Sequence, residues 1–141
     1  MTAKGLSVVF ILFVGLIFPR PILANPTAEK AAVTSSVAWL SLVDAGKYPE
    51  SWDQAAEYLR NAVTKEQLSD SLKGARSPLG KVISRKLKSK QYTKTLPGAP
   101  DGEYVVIRYE TQFEKKKSAI ETITPMLDKD GKWRVSGYYI K

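Results

Sequence analysis

Glu103-Tyr104-Val105-Val106-Ile107-Arg108-Tyr109-Glu110-Thr111-Gln112-Phe113 is the stretch that decides the fold. Its odd positions after Glu103, namely Val105, Ile107, Tyr109, Thr111 and Phe113, make one mostly apolar row. Tyr104, Val106, Arg108, Glu110 and Gln112 make the other. A period of two over this length predicts a strand with one buried face. Such a strand cannot bury that face alone, so its neighbours in the chain must supply the covering surface.

Downstream, Glu114-Lys115-Lys116-Lys117 reads as a charged hairpin tip, and Ser118 to Leu127 reads as the next strand. That strand carries Ile120, Thr122, Thr124 and Met126 on one side, with Ala119, Glu121, Ile123 and Leu127 on the other. Pro125 marks an edge, a bulge or a strand end. Asp128-Lys129-Asp130-Gly131 is a hairpin turn. In the last strand Trp133, Val135, Gly137 and Tyr139 alternate with Arg134, Ser136, Tyr138 and Ile140.

Upstream, from Val82 to Thr95, Ile83, Arg85, Leu87, Ser89, Gln91 and Thr93 alternate with Ser84, Lys86, Lys88, Lys90, Tyr92 and Lys94. A row of lysines along one strand face is a common guard against pairing with other chains. Leu96-Pro97-Gly98-Ala99-Pro100-Asp101-Gly102 is a stiff loop leading into the Glu103 strand.

Before residue 81 the period is helical. A first helix opens at Asn25-Pro26-Thr27 and stops at Gly46. A second runs from Glu50 or Ser51 with Trp52, Ala55, Ala56, Leu59 and Val63 on one face. A third starts at Thr64, with Gln67 completing a capping box, and ends at Ser77-Pro78-Leu79-Gly80. The expected fold class is α+β, three N-terminal helices packed on a four-stranded antiparallel sheet.

Lys4, the apolar run Leu6 to Phe18, the break at Pro19-Arg20-Pro21 and Ile22-Leu23-Ala24 have the pattern of a secretory signal peptide over residues 1–24. The competing reading is a retained anchor, but 13 apolar residues fall short of the roughly 20 that span a bilayer. The expected product is a single soluble domain over residues 25–141, periplasmic or secreted, with no stable transmembrane span after cleavage. Cysteine is absent, so this domain must hold together through its core. The formal net charge is +8, and loss of Lys4 and Arg20 with the leader takes it to +6. That balance suits contact with anionic surfaces.

The order of elements, Leu42-Val43-Asp44-Ala45-Gly46-Lys47-Tyr48 at the end of the first helix and Asp130-Gly131-Lys132-Trp133-Arg134-Val135 entering the last strand resemble the cystatin-like cone of nuclear transport factor 2 and ketosteroid isomerase. More closely, the chain resembles the bacterial exported family catalogued as domain of unknown function 4019. The residues carrying this are Trp39-Leu40, Ser51-Trp52, Arg76-Ser77-Pro78-Leu79-Gly80, the stretch from Leu96 to Tyr104, Glu121-Thr122, Gly131 to Val135 and Gly137-Tyr138. The resemblance implies a sheet curved into a cone and an exported location. It implies no activity, because the fold hosts unrelated functions.

Histidine is absent as well as cysteine, which removes the common zinc sites, thiol nucleophiles and histidine-based triads. No glycine-rich phosphate cradle follows a strand, and Asp128 with Asp130 lacks the rest of a calcium loop. No metal or cofactor is expected. Arg85, Tyr109, Thr111 and Glu121 fall on the apolar side of the sheet, where polar groups must pair or suffer desolvation. They form either a structural ion pair between Arg85 and Glu121 or the floor of an aromatic-walled pocket for a small ligand.

An acid/base enzyme would need a carboxylate and a neutral donor facing one cavity, for which Glu121 with Tyr109 and Asp44 with Tyr58 are the pairs available. Lys86, Lys88, Lys90 and Lys94 are the candidate contacts to an acidic envelope polymer or protein partner. An exported location makes nucleic acid a poor candidate. The expected function is a non-enzymatic binding or interaction module, with a small-molecule acid/base enzyme or ligand-binding protein using the cone as the alternative. Tyr104 and Tyr138, off the assumed core parity, are candidates for a homodimer contact through the sheet face.

Overall fold

The computed structural model describes residues 24–141, and the expected leader over residues 1–24 lies outside the described residues except for Ala24. Helix α1 (Pro26–Asp44) begins where Asn25 Oδ1 accepts from the Ala28 amide at 3.1 Å, with Pro26 in the first turn where no amide is needed. It ends at Asp44, and the chain reverses at Gly46, whose φ is 75°. Helices α2 (Tyr48–Asp53), α3 (Glu57–Ala62) and α4 (Lys65–Arg76) follow, then a 3-10 turn over Ser77–Leu79. Thr64 and Gln67 form the expected capping box at α4, with reciprocal bonds of 3.0 and 2.9 Å. Strands β1 (Val82–Thr93), β2 (Tyr104–Phe113), β3 (Lys116–Leu127) and β4 (Trp133–Ile140) form an antiparallel sheet in the order β1-β2-β3-β4.

The class is α+β as expected, with one correction to the helices. The second is not continuous from Glu50 to Val63 but splits into α2 and α3. Ala56 is extended, with φ −63° and ψ 151°, and its amide donates to the Val135 carbonyl of β4 at 2.8 Å. An amide committed to a strand edge cannot also serve a helix ladder, and the fully buried Ala55 and Ala56 leave room for that approach.

α1 lies along the inner face of the sheet and touches all four strands. Trp39, Leu40 and Val43 meet Val105, Ile107, Ile123 and Tyr138, while Leu59, Leu68 and Leu72 close the side. Each fully buried leucine contributes about 1.5–3 kcal/mol of transfer free energy. Tyr104 belongs to a second cluster with Ala56 and Met126, roofed by Leu96 and Ala99 of the Leu96 to Gly102 loop. Among the described residues no helix is long and apolar enough to cross a membrane.

Two irregularities decide which side chains face inward. β1 carries a bulge between Leu87 and Ser89, so Arg85 and Leu87 share a face with Lys90 and Tyr92. The β3–β4 ladder slips between Thr124 and Pro125, which puts Tyr138 opposite Ile123 although Val135 is also buried.

Candidate functional site

Glu121 is the centre of the polar arrangement. It sits mid-strand in β3, opposite Tyr109 of β2 and Ile140 of β4, and is 0% exposed. A bare carboxylate there would be untenable, so donors must surround it. Arg85 donates from Nε to Oε1 at 2.7 Å and from Nη2 to Oε2 at 3.2 Å. The Thr111 hydroxyl donates to Oε1 at 2.6 Å, and the Tyr138 hydroxyl donates to Oε2. Register explains the convergence, because Arg85 pairs with Thr111 across β1–β2 and Thr111 lies one inward position from Tyr109 on β2. Trp39 stands edge-on to Tyr138 with centroids 5.2 Å apart and fixes the phenol.

Arg85 binds a second carboxylate with its other edge. Nη1 reaches Asp44 Oδ2 at 2.8 Å and Nη2 reaches Oδ1 at 3.0 Å. Asp44 Oδ1 also accepts from Arg76 Nη2 at 2.8 Å. Arg76 is 5% exposed, lies over the Phe113 ring with its guanidinium carbon 4.9 Å from the centroid, and leaves Nε and Nη1 without a partner. Two guanidinia and two carboxylates thus form one neutral chain, Arg76–Asp44–Arg85–Glu121, at the end of the cone where α1, α4 and β1 meet.

The electrostatics follow burial first. Burial alone would raise the Asp44 carboxyl, but hydrogen bonds and charge from Arg85 and Arg76 outweigh it and hold the group below its ordinary value. Burial lifts the Tyr138 phenol well above 10.0, and the adjacent Glu121 charge adds to it, so Tyr138 is a neutral donor.

Of the four expected residues, Arg85, Thr111 and Glu121 come together, and Tyr109 does not join them by hydrogen bond. The Ser36 hydroxyl gives its proton to the Val33 carbonyl at 2.8 Å, so Tyr109 must donate to Ser36 at 2.7 Å. The phenol on Glu121 is Tyr138, which corrects the pairing of Glu121 with Tyr109. Asp44 and Tyr58 are not partners either. Tyr58 donates to the Gly98 carbonyl at 3.3 Å, and Asp44 is no simple turn residue. Ser36, Asp44, Arg76 and Tyr138 are the members that strand parity missed. The sequence signal for Tyr138 was Gly137 beside it, a residue that marks bulges within strands.

The lysines do not form one row. Lys86 faces outward opposite Glu110, the bulge places Lys90 opposite Ile107 on the other face, and Lys94 lies past the end of β1. Lys88 contacts Glu110 at 3.5 Å with both side chains solvated. Tyr92, expected among them, is buried and donates to Glu103 at 2.8 Å. On the outer face at the β2–β3 hairpin end lies an open polar depression. Its lining includes Ser84, Lys86, Glu110, Gln112, Lys117 and Ser118. Tyr104 and Tyr138 are buried, so neither is available for a homodimer contact. In the β3–β4 turn, Arg134 occupies Asp128 at 3.0 Å and Asp130 at 2.9 Å.

The family model described as Protein of unknown function (DUF4019) matches residues 35–138, a span holding every member of the buried network. Among curated proteins no match was found.

Proposed function

Because the chain belongs to the DUF4019 family, whose description assigns no activity, we propose its function from geometry: an exported, non-enzymatic interaction module that works through the outer face of its sheet. The observation that carries this reading is the state of Glu121. An acid/base catalyst needs a carboxylate that can meet a substrate and exchange a proton. Glu121 is fully buried and accepts four hydrogen bonds from Arg85, Thr111 and Tyr138, so its lone pairs are spent on the fold. Glu121, Thr111 and Tyr138 therefore act as a polar core.

The outer face is different in kind. Lys86 and Lys117 flank an open depression with hydroxyl and amide groups and the Glu110 carboxylate along it, and Lys115 and Lys116 stand at the same hairpin end, so lysines outnumber carboxylates there. Extended acidic partners, an envelope polymer or an acidic protein segment, match that chemistry through long-range attraction and short polar contacts.

Binding of the chain to a polycarboxylate such as polyglutamate at low and high salt tests the reading. Affinity that falls steeply with salt and is lost in Lys86→Glu with Lys117→Glu supports it. Salt-independent stabilisation by a small uncharged molecule, abolished by Glu121→Gln, would instead assign the cone as a ligand pocket.

A further inference from the structure

We propose that Arg76 and Arg85 form a binding site for a small carboxylate, and that Asp44 occupies this site as a removable internal stand-in. The inference goes beyond the outer-face reading and does not depend on it.

The arrangement around Asp44 is that of a bound ligand more than of a core residue. Its two oxygens meet the end-on fork of Arg85 at 2.8 and 3.0 Å, the planar two-point geometry in which guanidinium recognises any carboxylate. Oδ1 is shared with Arg76 at 2.8 Å. The cations are the buried members and the anion is the exposed one. Arg76 and Arg85 are 5% and 16% exposed and are held by the Phe113 ring and by Glu121, whereas the Asp44 side chain is 30% exposed and opens on solvent.

Asp44 is the last residue of α1, whose final turn carries no basic residue, so the charge that holds its carboxylate comes from Arg76 and Arg85. A rotation about its side chain would carry it into water without moving the helix. The vacated fork would keep two guanidinia.

Arg76 supplies the second observation. Nε and Nη1 are buried with no acceptor, and orphaned buried donors of this kind point to a partner the protein itself does not provide. A carboxylate carried on a free molecule, not tethered to α1, can shift towards Arg76 and accept from it more fully than Asp44 does.

The test is a titration of the chain with sodium acetate against sodium chloride at equal ionic strength, read by thermal midpoint and by the arginine Nε resonances. Acetate should raise the midpoint saturably and move the Arg76 Nε signal. Asp44→Asn keeps one accepting oxygen but loses the charge and the second acceptor, so it weakens the internal competitor. It should bind acetate about tenfold or more tightly than the unaltered chain, since apparent affinity scales with the fraction of open site.

Should that variant be unfolded in chloride, recovery of the fold in acetate carries the same meaning. Arg76→Met should lose the response. Equal effects of acetate and chloride on the unaltered chain, or an Asp44→Asn variant with no gain in acetate affinity and no recovery, would overturn the proposal. A response to phosphate as large as that to acetate would overturn the assignment to a planar carboxylate.

Discussion

Arg85 clamps Glu121 from one edge of its guanidinium, Nε to Oε1 at 2.7 Å and Nη2 to Oε2 at 3.2 Å, while its other edge is taken by Asp44. Removing either partner of such a pair leaves a buried charge uncompensated. Glu121→Gln keeps the shape and loses the charge, and should destabilise the fold by about 3–5 kcal/mol. Urea unfolding monitored by tryptophan fluorescence measures it. Arg85→Met combined with Glu121→Gln should cost less than the sum of the two single changes, because the second removal strands nothing new.

Ser36 and Tyr109 tie α1 to β2 by one hydroxyl pair, with the proton order set by the Val33 carbonyl. Ser36→Ala strands the buried Tyr109 hydroxyl and should cost about 1–3 kcal/mol. Tyr109→Phe in the Ser36→Ala background should recover part of that loss, because it removes the stranded group. A thermal melt of the two single variants and the double variant reads the coupling.

The strands of this protein were legible and its inward-facing polar set was only partly so, for a definite reason. Period two places Arg85, Thr111 and Glu121 on one face because the ladder between them is regular from Ser84 to Leu87 and from Ile107 to Thr111. One residue inserted near Lys88 then reverses the parity of Lys90 and Tyr92, and the slip at Pro125 does the same for Tyr138. Bulges are backbone events that side-chain alternation reports only indirectly, here through Gly137 and Pro125. Asp44 and Arg76 lay beyond strand patterning altogether, since they meet through the packing of α1 against α4 and β1. The break at Ala56 was hidden because alanine suits a helix, and its exit from the helix depends on the Val135 carbonyl.

Stability should fall at both ends of the pH scale. The folded Asp44 carboxyl lies below its ordinary 3.8, held there by Arg85 and Arg76 against the effect of burial. Its contribution is therefore complete above about pH 3.8 and is lost as pH falls through the lower folded value. The Tyr138 phenol lies well above 10.0 through burial and the Glu121 charge, and burial pushes Tyr104 up to about 12. Raised acids stabilise the fold fully below their ordinary value, and that contribution disappears as pH rises through the folded one. Thermal midpoints from pH 2 to pH 12 should decline on both limbs, with Asp44→Asn flattening the acid limb and Tyr138→Phe the alkaline one.

Gly80 should tolerate no side chain, although it lies at the surface end of the helical half. Its φ of 77° and ψ of −161° fall in a region open essentially to glycine alone, where another residue costs of the order of 1–3 kcal/mol. Space is lacking as well. A Cβ there would stand 2.6 Å from Glu114 Oε1 and 2.9 Å from Glu114 Cβ. That Glu114 oxygen accepts from the Lys81 amide at 2.8 Å, and the Glu114 amide donates back to the Lys81 carbonyl at 2.9 Å, so the collision breaks the clasp between the start of β1 and the β2–β3 tip. Gly80→Ala should thus lower stability by about 2–4 kcal/mol, more than strain alone, because a hydrogen-bonded contact is lost with it. Glu114→Ala in the same chain should relieve the collision with the carboxylate and leave the contact with Cβ and the backbone part. Chemical denaturation of the three variants reads the carboxylate's share of the loss, and a Gly80→Ala protein as stable as the unaltered chain would mean that the turn can adopt another backbone path.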